Sequence, residues 1–287
     1  MTVNGDWTKQ SNCAATARPH PLLDGLVTAY IGYDEHLPTV RRRIIPTVAP
    51  LMLVDCGSAT RRLPREGMQT AAISGSPLFG LIDTYGEMEL AGHDLGVAVL
   101  FTPPGVRALL GVPPGELAHC WTSTQDLLGH RGSTVPERVF HTRGWPERFA
   151  VVDGLLVGRL RSSWSPPDTV TRSWRELENT SGRMRVDTLA NRSGTTRRSL
   201  EKLFQQHVGC SPKKAARILR FRRAFRLICS GESLALVATA AGYSDQAHLS
   251  RDVRELAGVS PGEIRRQARS EHGGQRNGTA HSVKTPA

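Results

Sequence analysis

The sequence repeats itself once near its carboxyl end, and a chain with such an echo must build one kind of unit twice. Ala190-x-x-x-Gly194-x-Thr196 recurs as Ala238-x-x-x-Gly242-x-Ser244 at an offset of 48 residues. Leu200, Lys202, Phe204 and Val208-Gly209-Cys210-Ser211-Pro212 recur as Leu249, Arg251, Val253 and Ala257-Gly258-Val259-Ser260-Pro261 at an offset of 49, so the second copy holds one extra residue. Each copy reads as helix, tight turn, helix. In the first, Asp187 is placed to cap a short helix carrying Leu189 and Ala190, Gly194 permits a left-handed turn, and Thr196 caps a second helix. That helix buries Leu200, Leu203, Phe204 and Val208 at spacings of three and four, and turns Arg197, Arg198, Glu201 and Lys202 outward. In the second copy Ser233 caps a helix with Leu234, Val237 and Ala238 inside, and Gly242 makes the turn. Ser244 then caps a helix that buries Leu249, Val253 and Leu256 and exposes Gln246, Ala247, Ser250, Arg251 and Arg254. Between the copies, Pro212 to Cys229 predicts a helix with Ala216, Leu219, Ala224, Leu227 and Ile228 inside. Lys213, Lys214, Arg217, Arg222, Arg223 and Arg226 are left to solvent. Eighteen residues span roughly 27 Å at about 1.5 Å each.

Charge is segregated in the same way. The chain of 287 residues carries a formal net charge of +11, and residues 172–269 hold 20 Lys and Arg against 9 Asp and Glu, while the rest is balanced at 17 against 17. A basic domain joined to a neutral one implies a polyanionic partner for the first and a different task for the second. Serine or threonine at a helix N-terminus lets the backbone approach phosphate, so Thr196 and Ser244 fit that role. Long side chains one and two turns in reach base edges: Arg198, Lys202 and Arg251 suit guanine, Gln246 suits adenine, and Glu201 suits cytosine N4. Arg197, Ala247, Ser250 and Arg254 complete the outward set. Glu201 has a second use, an ion pair with Arg197 or Arg198 on its own helix, and the sequence leaves both open.

The rest of the chain predicts an α+β protein, with a β-rich N-terminal sensor-like domain followed by an all-α domain of two helix-turn-helix units joined by a linker helix. From Leu22 to Leu100, short apolar runs alternate with Gly and Pro, as in LVTAYIGY, LMLVDCG and LGVAVLF. PGVRALL, PPGELAHCW and TQDLLG read as loops carrying short helices, and Glu137 to Leu160 as partly helical with a break at Gly144–Pro146. The expected divisions are a disordered tail over 1–18, a regulatory, effector or dimerisation domain over 19–161, a linker over 162–171, the DNA-binding domain over 172–269, and a second disordered tail over 270–287.

Val186 to Arg269 resembles the DNA-binding domain of the AraC/XylS family of transcription regulators. The likeness is carried by LANRSGTTRRSLEKLFQQHVGCSPKKAARILRFRRA and by LALVATAAGYSDQAHLSRDVRELAGVSPGEIRR, with its Gly-aromatic-x-Asp-Gln and Gly-x-Ser-Pro elements. The resemblance implies base-facing positions at Arg198, Glu201 and Lys202 in the first unit and at Gln246, Ala247, Ser250 and Arg251 in the second. Val253, where the family usually has Phe, and Asp252, where it has a neutral residue, imply a looser second helix or weaker phosphate contacts. RRRIIPTVAPLMLVDCG and GVAVLFTPPGVRALLGVPPGELAHCW are similar to a domain that accompanies this unit in actinobacterial-type regulators, which implies effector sensing or dimer formation.

Other chemistries have little support in the sequence. Cys13, Cys56, Cys120, Cys210 and Cys229 form no CxxC and no zinc-type spacing, so no metal and no cofactor is expected. His93-Asp94, His119-Cys120, His130 and His141 are scattered without a hydrolase, metalloprotease or phosphate-loop motif, so no enzyme is expected. Tyr85 and Trp121 are candidates for the wall of an effector pocket. No membrane segment is apparent, and a cytoplasmic, nucleoid-associated protein is expected. The expected partners are double-stranded promoter DNA, RNA polymerase, a small-molecule effector and a second copy meeting through the N-terminal domain. The competing reading is a small-molecule receptor or enzyme that its basic domain merely anchors to nucleic acid.

Overall fold

In the computed structural model, which describes residues 2–4, 13–65, 68–73, 75–118, 120–160 and 166–276, two long antiparallel strands organise the N-terminal half. Strand β3 (Val27–Ile44) pairs with β8 (Gly86–Phe101) from Val27↔Phe101 to Ile44↔Gly86. Around this pair lie β1 (Thr2–Asn4) and β2 (Cys13–Ala17) on β3, and β4 (Leu51–Asp55) and β5 (Thr60–Arg65) on β8. Strands β6 (Met68–Ile73), β7 (Pro77–Phe79) and β9 (Trp121–Ser123) extend the sheet. The apolar runs expected to be strands lie in β3, β4, β7 and β8. The β5–β6 hairpin was not expected, because TRRLPR is basic and carries Pro64. Nor was the length of β3, whose middle, DEHLPT, is polar; Pro38, which has no N–H to offer, sits where the register shifts between Leu37 and Val40.

Period-two alternation sends side chains to two different cores. Tyr30, Met52, Val54, Val97, Val99 and Phe101 face a layer of helices, α1 (Pro103–Leu110), α2 (Thr124–Leu128), α3 (His130–His141) and α4 (Trp145–Val157). Their neighbours Ile31, Tyr33, Leu51, Leu53 and Ala98 form the opposite face with Ile73 and Phe79. A Cβ on Gly32 would lie 2.3 Å from the Trp145 ring, so only glycine lets α4 dock this closely. Beyond the second face, Arg61 is buried and bridges the carboxylates of Asp55 and Asp94.

The C-terminal half is helical throughout: α5 (Asp168–Asn179), α6 (Val186–Arg192), α7 (Arg197–His207), α8 (Pro212–Cys229), α9 (Leu234–Ala241), α10 (Gln246–Ala257) and α11 (Pro261–Arg276). Three expected boundaries differ in the structure. Cys13–Ala17 is a strand on β3, and Thr2–Asn4 runs parallel to it at Arg42–Ile44, so the described part of the expected N-terminal tail is sheet; residues 5–12 lie outside the described residues. Helix α11 continues through Arg276, seven residues into the expected C-terminal tail, and residues 277–287 lie outside the described residues. The expected linker over 162–171 is cut by α5, which starts at Asp168, while residues 161–165 lie outside the described residues, as does His119. No helix among the described residues is long and apolar enough to cross a membrane.

The buried guanidinium yields the first prediction. Arg61→Ala leaves two carboxylates without the cation that bridges them, and removing one partner of a buried ion pair costs about 3–5 kcal/mol. Chemical denaturation of the full chain should show a loss of that order.

Candidate nucleic-acid interface

Both repeat units take the helix-turn-helix form, α6–α7 and α9–α10, and both turn through a left-handed glycine, Gly194 at φ +68° and Gly242 at φ +80°. The inner stripes form as expected: Leu200, Phe204 and Val208 are buried in one unit, and Leu249, Val253 and Leu256 in the other, with Leu203 half-buried. Thr196 caps α7, its hydroxyl accepting from the Ser199 N–H at 3.2 Å. Asp187 is not the cap of α6; Arg185 holds that position, and Asp187, in the first turn, accepts from Arg197 at 3.3 Å.

Ser244 does not cap α10 either. Asp245 does, its carboxylate accepting from the His248 N–H at 2.7 Å, while the Ser244 hydroxyl donates to Asp245 at 3.0 Å. Counted from cap to cap, α7 and α10 are therefore 49 residues apart, and the extra residue of the second unit lies in its turn. The equivalent pairs become Arg197 and Gln246, Arg198 and Ala247, Glu201 and Ser250, and Lys202 and Arg251. Arg254 then corresponds to Gln205, an exposed α7 residue absent from the outward set expected from the sequence. The signal was present in the offset of 49, which the outward positions follow and the expected caps do not.

Arg198, Lys202, Gln246, Ala247, Arg251 and Arg254 are exposed, and Ser250 is half-buried. Arg197 is exposed but held, with Glu201 accepting from it at 3.1 Å and Asp187 on its other side; these two anions raise its pKa further, the Glu201 bond first. Of the two uses open to Glu201, the structure displays the ion pair. Among the described residues Arg198 and Lys202 have no ion-pair partner. Arg254 stands in the last turn of α10; the Glu263 carboxyl nearby is held below its ordinary value chiefly by hydrogen bonds from Ser260, with Arg266 and Arg254 adding to the effect.

Asp252 overturns an expectation. It is buried, accepting from Arg217 of α8 at 2.6 Å and from the Tyr243 hydroxyl at 2.8 Å, and Arg217 also pairs with Glu255 at 2.6 Å. Its charge is consumed in locking α10 to α8, and Val253 beside it is fully buried, so the second helix is anchored here and not loosened. The His248 ring meets Tyr243 edge-on at 5.1 Å.

The linker helix is less free than its sequence suggests. Ala215, Ala216 and Ile218 pack into the first unit, and Phe221, Ala224, Phe225 and Ile228 into the second, whereas Leu219 and Leu227 are half-buried. Lys213 and Arg226 are exposed as expected. Arg217 is bound as described, Arg222 donates to the Thr47 hydroxyl, Arg223 donates to the Ala240 carbonyl at 2.9 Å, and Lys214 pairs with Asp83. The N-terminal domain thus lies directly on α8. It also reaches the C-terminal ends of α7 and α10. Arg43 donates to the Ala257 carbonyl at 2.9 Å, Tyr85 packs on Gly258, and Pro114 packs on Gly209. Tyr85 is therefore part of a domain contact, and Trp121 is half-buried against the sheet cluster of Phe79.

Residues 189–267 match a family model described as a helix-turn-helix domain. The chain is 34% identical over 83 residues to the HTH-type transcriptional regulator GlxA of Rhizobium meliloti, covering 29% of this chain and 26% of that protein. It is 36% identical over 77 residues to the HTH-type transcriptional regulator GbdR of Pseudomonas aeruginosa, covering 26% and 21%. The match thus spans about a quarter of the length of these relatives. Among solved structures, an AraC-type regulator from Chromobacterium violaceum aligns at 30% identity and TM-score 0.33, over 35% of this chain and 91% of that one. ToxT from Vibrio cholerae aligns at 12% identity and TM-score 0.47, over 83% and 97%.

The capping geometry predicts a pH-dependent contrast. Asp245→Ala should lower the melting temperature of the full chain more than Ser244→Ala does. The hydrogen bond from the His248 N–H, followed by that from Ser244, holds the Asp245 carboxyl below its ordinary value of 3.8. A depressed carboxyl stabilises in full above that value and loses its contribution as pH falls towards and through its lower folded pKa, so the contrast should narrow at pH 3. In the first unit, Thr196→Ala should cost about 1 kcal/mol. Thermal melts at pH 7 and pH 3 check all three.

Proposed function

We propose that this chain, which carries a C-terminal AraC-type helix-turn-helix domain, is a sequence-specific DNA-binding transcription regulator that lays α7 and α10 in successive major grooves. The observation that carries the reading is the pair of capped helices, equivalent at 49 residues, each with an exposed donor face and both seated on one basic helix. A helix of 18 residues spans roughly 27 Å, near the ~34 Å between major grooves on one side of a duplex. Arg198, Lys202, Gln246 and Arg251 are assigned to base edges, with Glu201, Ala247 and Ser250 beside them. Thr196 and Ser244 are assigned to phosphate, with Arg197 and Arg254 at the margins.

The N-terminal domain is assigned the modulating role. A mostly apolar slot of about 50 Å³ lies where it meets α8, with Leu51, Leu53, Phe79 and Met88 on the sheet side and Arg222 on the helix side. Pockets for drug-sized ligands run to about 300–1,000 Å³, so an effector entering here would have to part the two domains and would be felt by both. RNA polymerase, a small-molecule effector and a second copy bound through the N-terminal domain are the partners this reading expects, in the cytoplasm at the nucleoid.

Recovery of bound duplexes from random DNA at fixed salt tests the reading. Two motifs about ten base pairs apart are expected. Lys202→Ala and Arg251→Ala should each relax preference at one defined position by about 1–3 kcal/mol. Lys213→Ala should weaken all sequences alike and reduce the salt slope by about one. A flat profile, with every variant losing affinity uniformly, would favour a receptor or enzyme that nucleic acid merely anchors.

A further inference from the structure

One short segment after β3 belongs to both helix-turn-helix cores. Ile45, 5% exposed, belongs to the core that Phe221 and Phe225 of α8 share with Val237 of the second unit, whereas Val48, 2% exposed, belongs to the core that Trp174 of α5 and Ala215 of α8 share with Phe204 of the first. Between them Thr47 accepts from Arg222 of α8. The segment is held on its far side too: the Thr47 and Ile82 backbones bond reciprocally at 2.7 and 2.9 Å, and the same strip supplies Leu81 to the first core and Asp83 to Lys214. A piece of the N-terminal domain four residues long from anchor to anchor therefore straddles the linker helix, with one apolar side chain sunk into each core.

This matters because the units lean on different stretches of α8, the first around Ala215 to Ile218 and the second from Phe221 to Ile228. Apart from the helix itself, the approach of Arg183 to Gly242 is one direct tie between them, and the straddling segment is another. Arg43 on Ala257 and Pro114 on Gly209 brace the far end of each recognition helix from the same domain.

We propose that Ile45 and Val48 are positioning residues for the two recognition helices, so that the spacing between paired DNA motifs the chain accepts is set from its N-terminal domain. This rests on the DNA-binding reading above. Two modules held at a fixed separation gain effective concentration only on a site of matching span, and slackening the tie blurs that match.

The test uses the full chain and duplexes carrying the two selected motifs with the spacer lengthened by single base pairs. In the wild type, one added base pair should lower affinity about tenfold, whereas in Ile45→Ala/Val48→Ala it should cost under about threefold, with affinity for a single motif held within about twofold. A double variant that keeps the wild-type spacing penalty overturns the proposal. Should that variant not fold, Ile45→Val and Val48→Ala taken singly leave smaller cavities; each should reduce the penalty by about twofold, and an unchanged penalty in both overturns the proposal. A second arm needs no DNA: the distance distribution between labels on non-natural residues at Gln206 of α7 and Thr239 of α9 should broaden in the variants, and an unaltered distribution overturns the proposal. If no duplex is selected at all, the regulator reading fails while the distance measurement still decides the role of Ile45 and Val48.

Discussion

Helix α8 divides one apolar side between two cores, and the rest of the C-terminal half depends on how it does so. Ala215, Ala216 and Ile218 are small enough, or narrow enough at the contact, for the first unit to sit close. A Cβ on Gly182 would lie 2.1 Å from the Ala216 carbonyl, which shows how tight that approach is. Two turns on, Phe221 and Phe225 lie 5.9 Å apart and fill the wider space under the second unit. Each unit is too small to bury a full core by itself, and each completes one by borrowing half of this helix.

The polar side of α8 is also largely tied down. Arg217 reaches Asp252 and Glu255, Arg222 reaches Thr47 and Arg223 reaches Ala240, so three of the arginines in a run that looks like a solvated basic face are structural ties. On the DNA-binding reading, the charge left to meet a polyanion is largely that of Lys213, Arg226 and the outward faces of α7 and α10. The sum of charge over the domain says where a polyanion is drawn, and only the bonding pattern says which cations remain to meet it.

What was legible in the sequence is what leaves a local mark. The repeat, the stripe of Leu200 and Phe204 against that of Leu249 and Val253, the left-handed glycines and the break before Trp145 all follow from spacing within a few residues. The misses are long-range. Asp252 reads as a surface charge until Arg217, 35 residues earlier, is folded against it. Ile45 and Val48 read as a short apolar run ending a strand, and nothing nearby reveals that they finish cores built mostly from residues more than a hundred positions away. Ser244 and Asp245 are both good caps, and a single residue of register decided between them. The outward donors were equally legible, but their task is a matter for experiment, since exposure alone does not name a ligand.

The additional residue in the second turn leaves the two halves of the domain unlike. Where α7 offers Arg198 and Glu201, α10 offers Ala247 and Ser250. Two heads related by a twofold axis would lie on a duplex equally well either way round, and their sites would look the same from both strands. Two units with unlike faces give the molecule a front and a back, so on the DNA-binding reading proposed above its site would carry an arrow, and a gene on one side of that site would not be equivalent to a gene on the other.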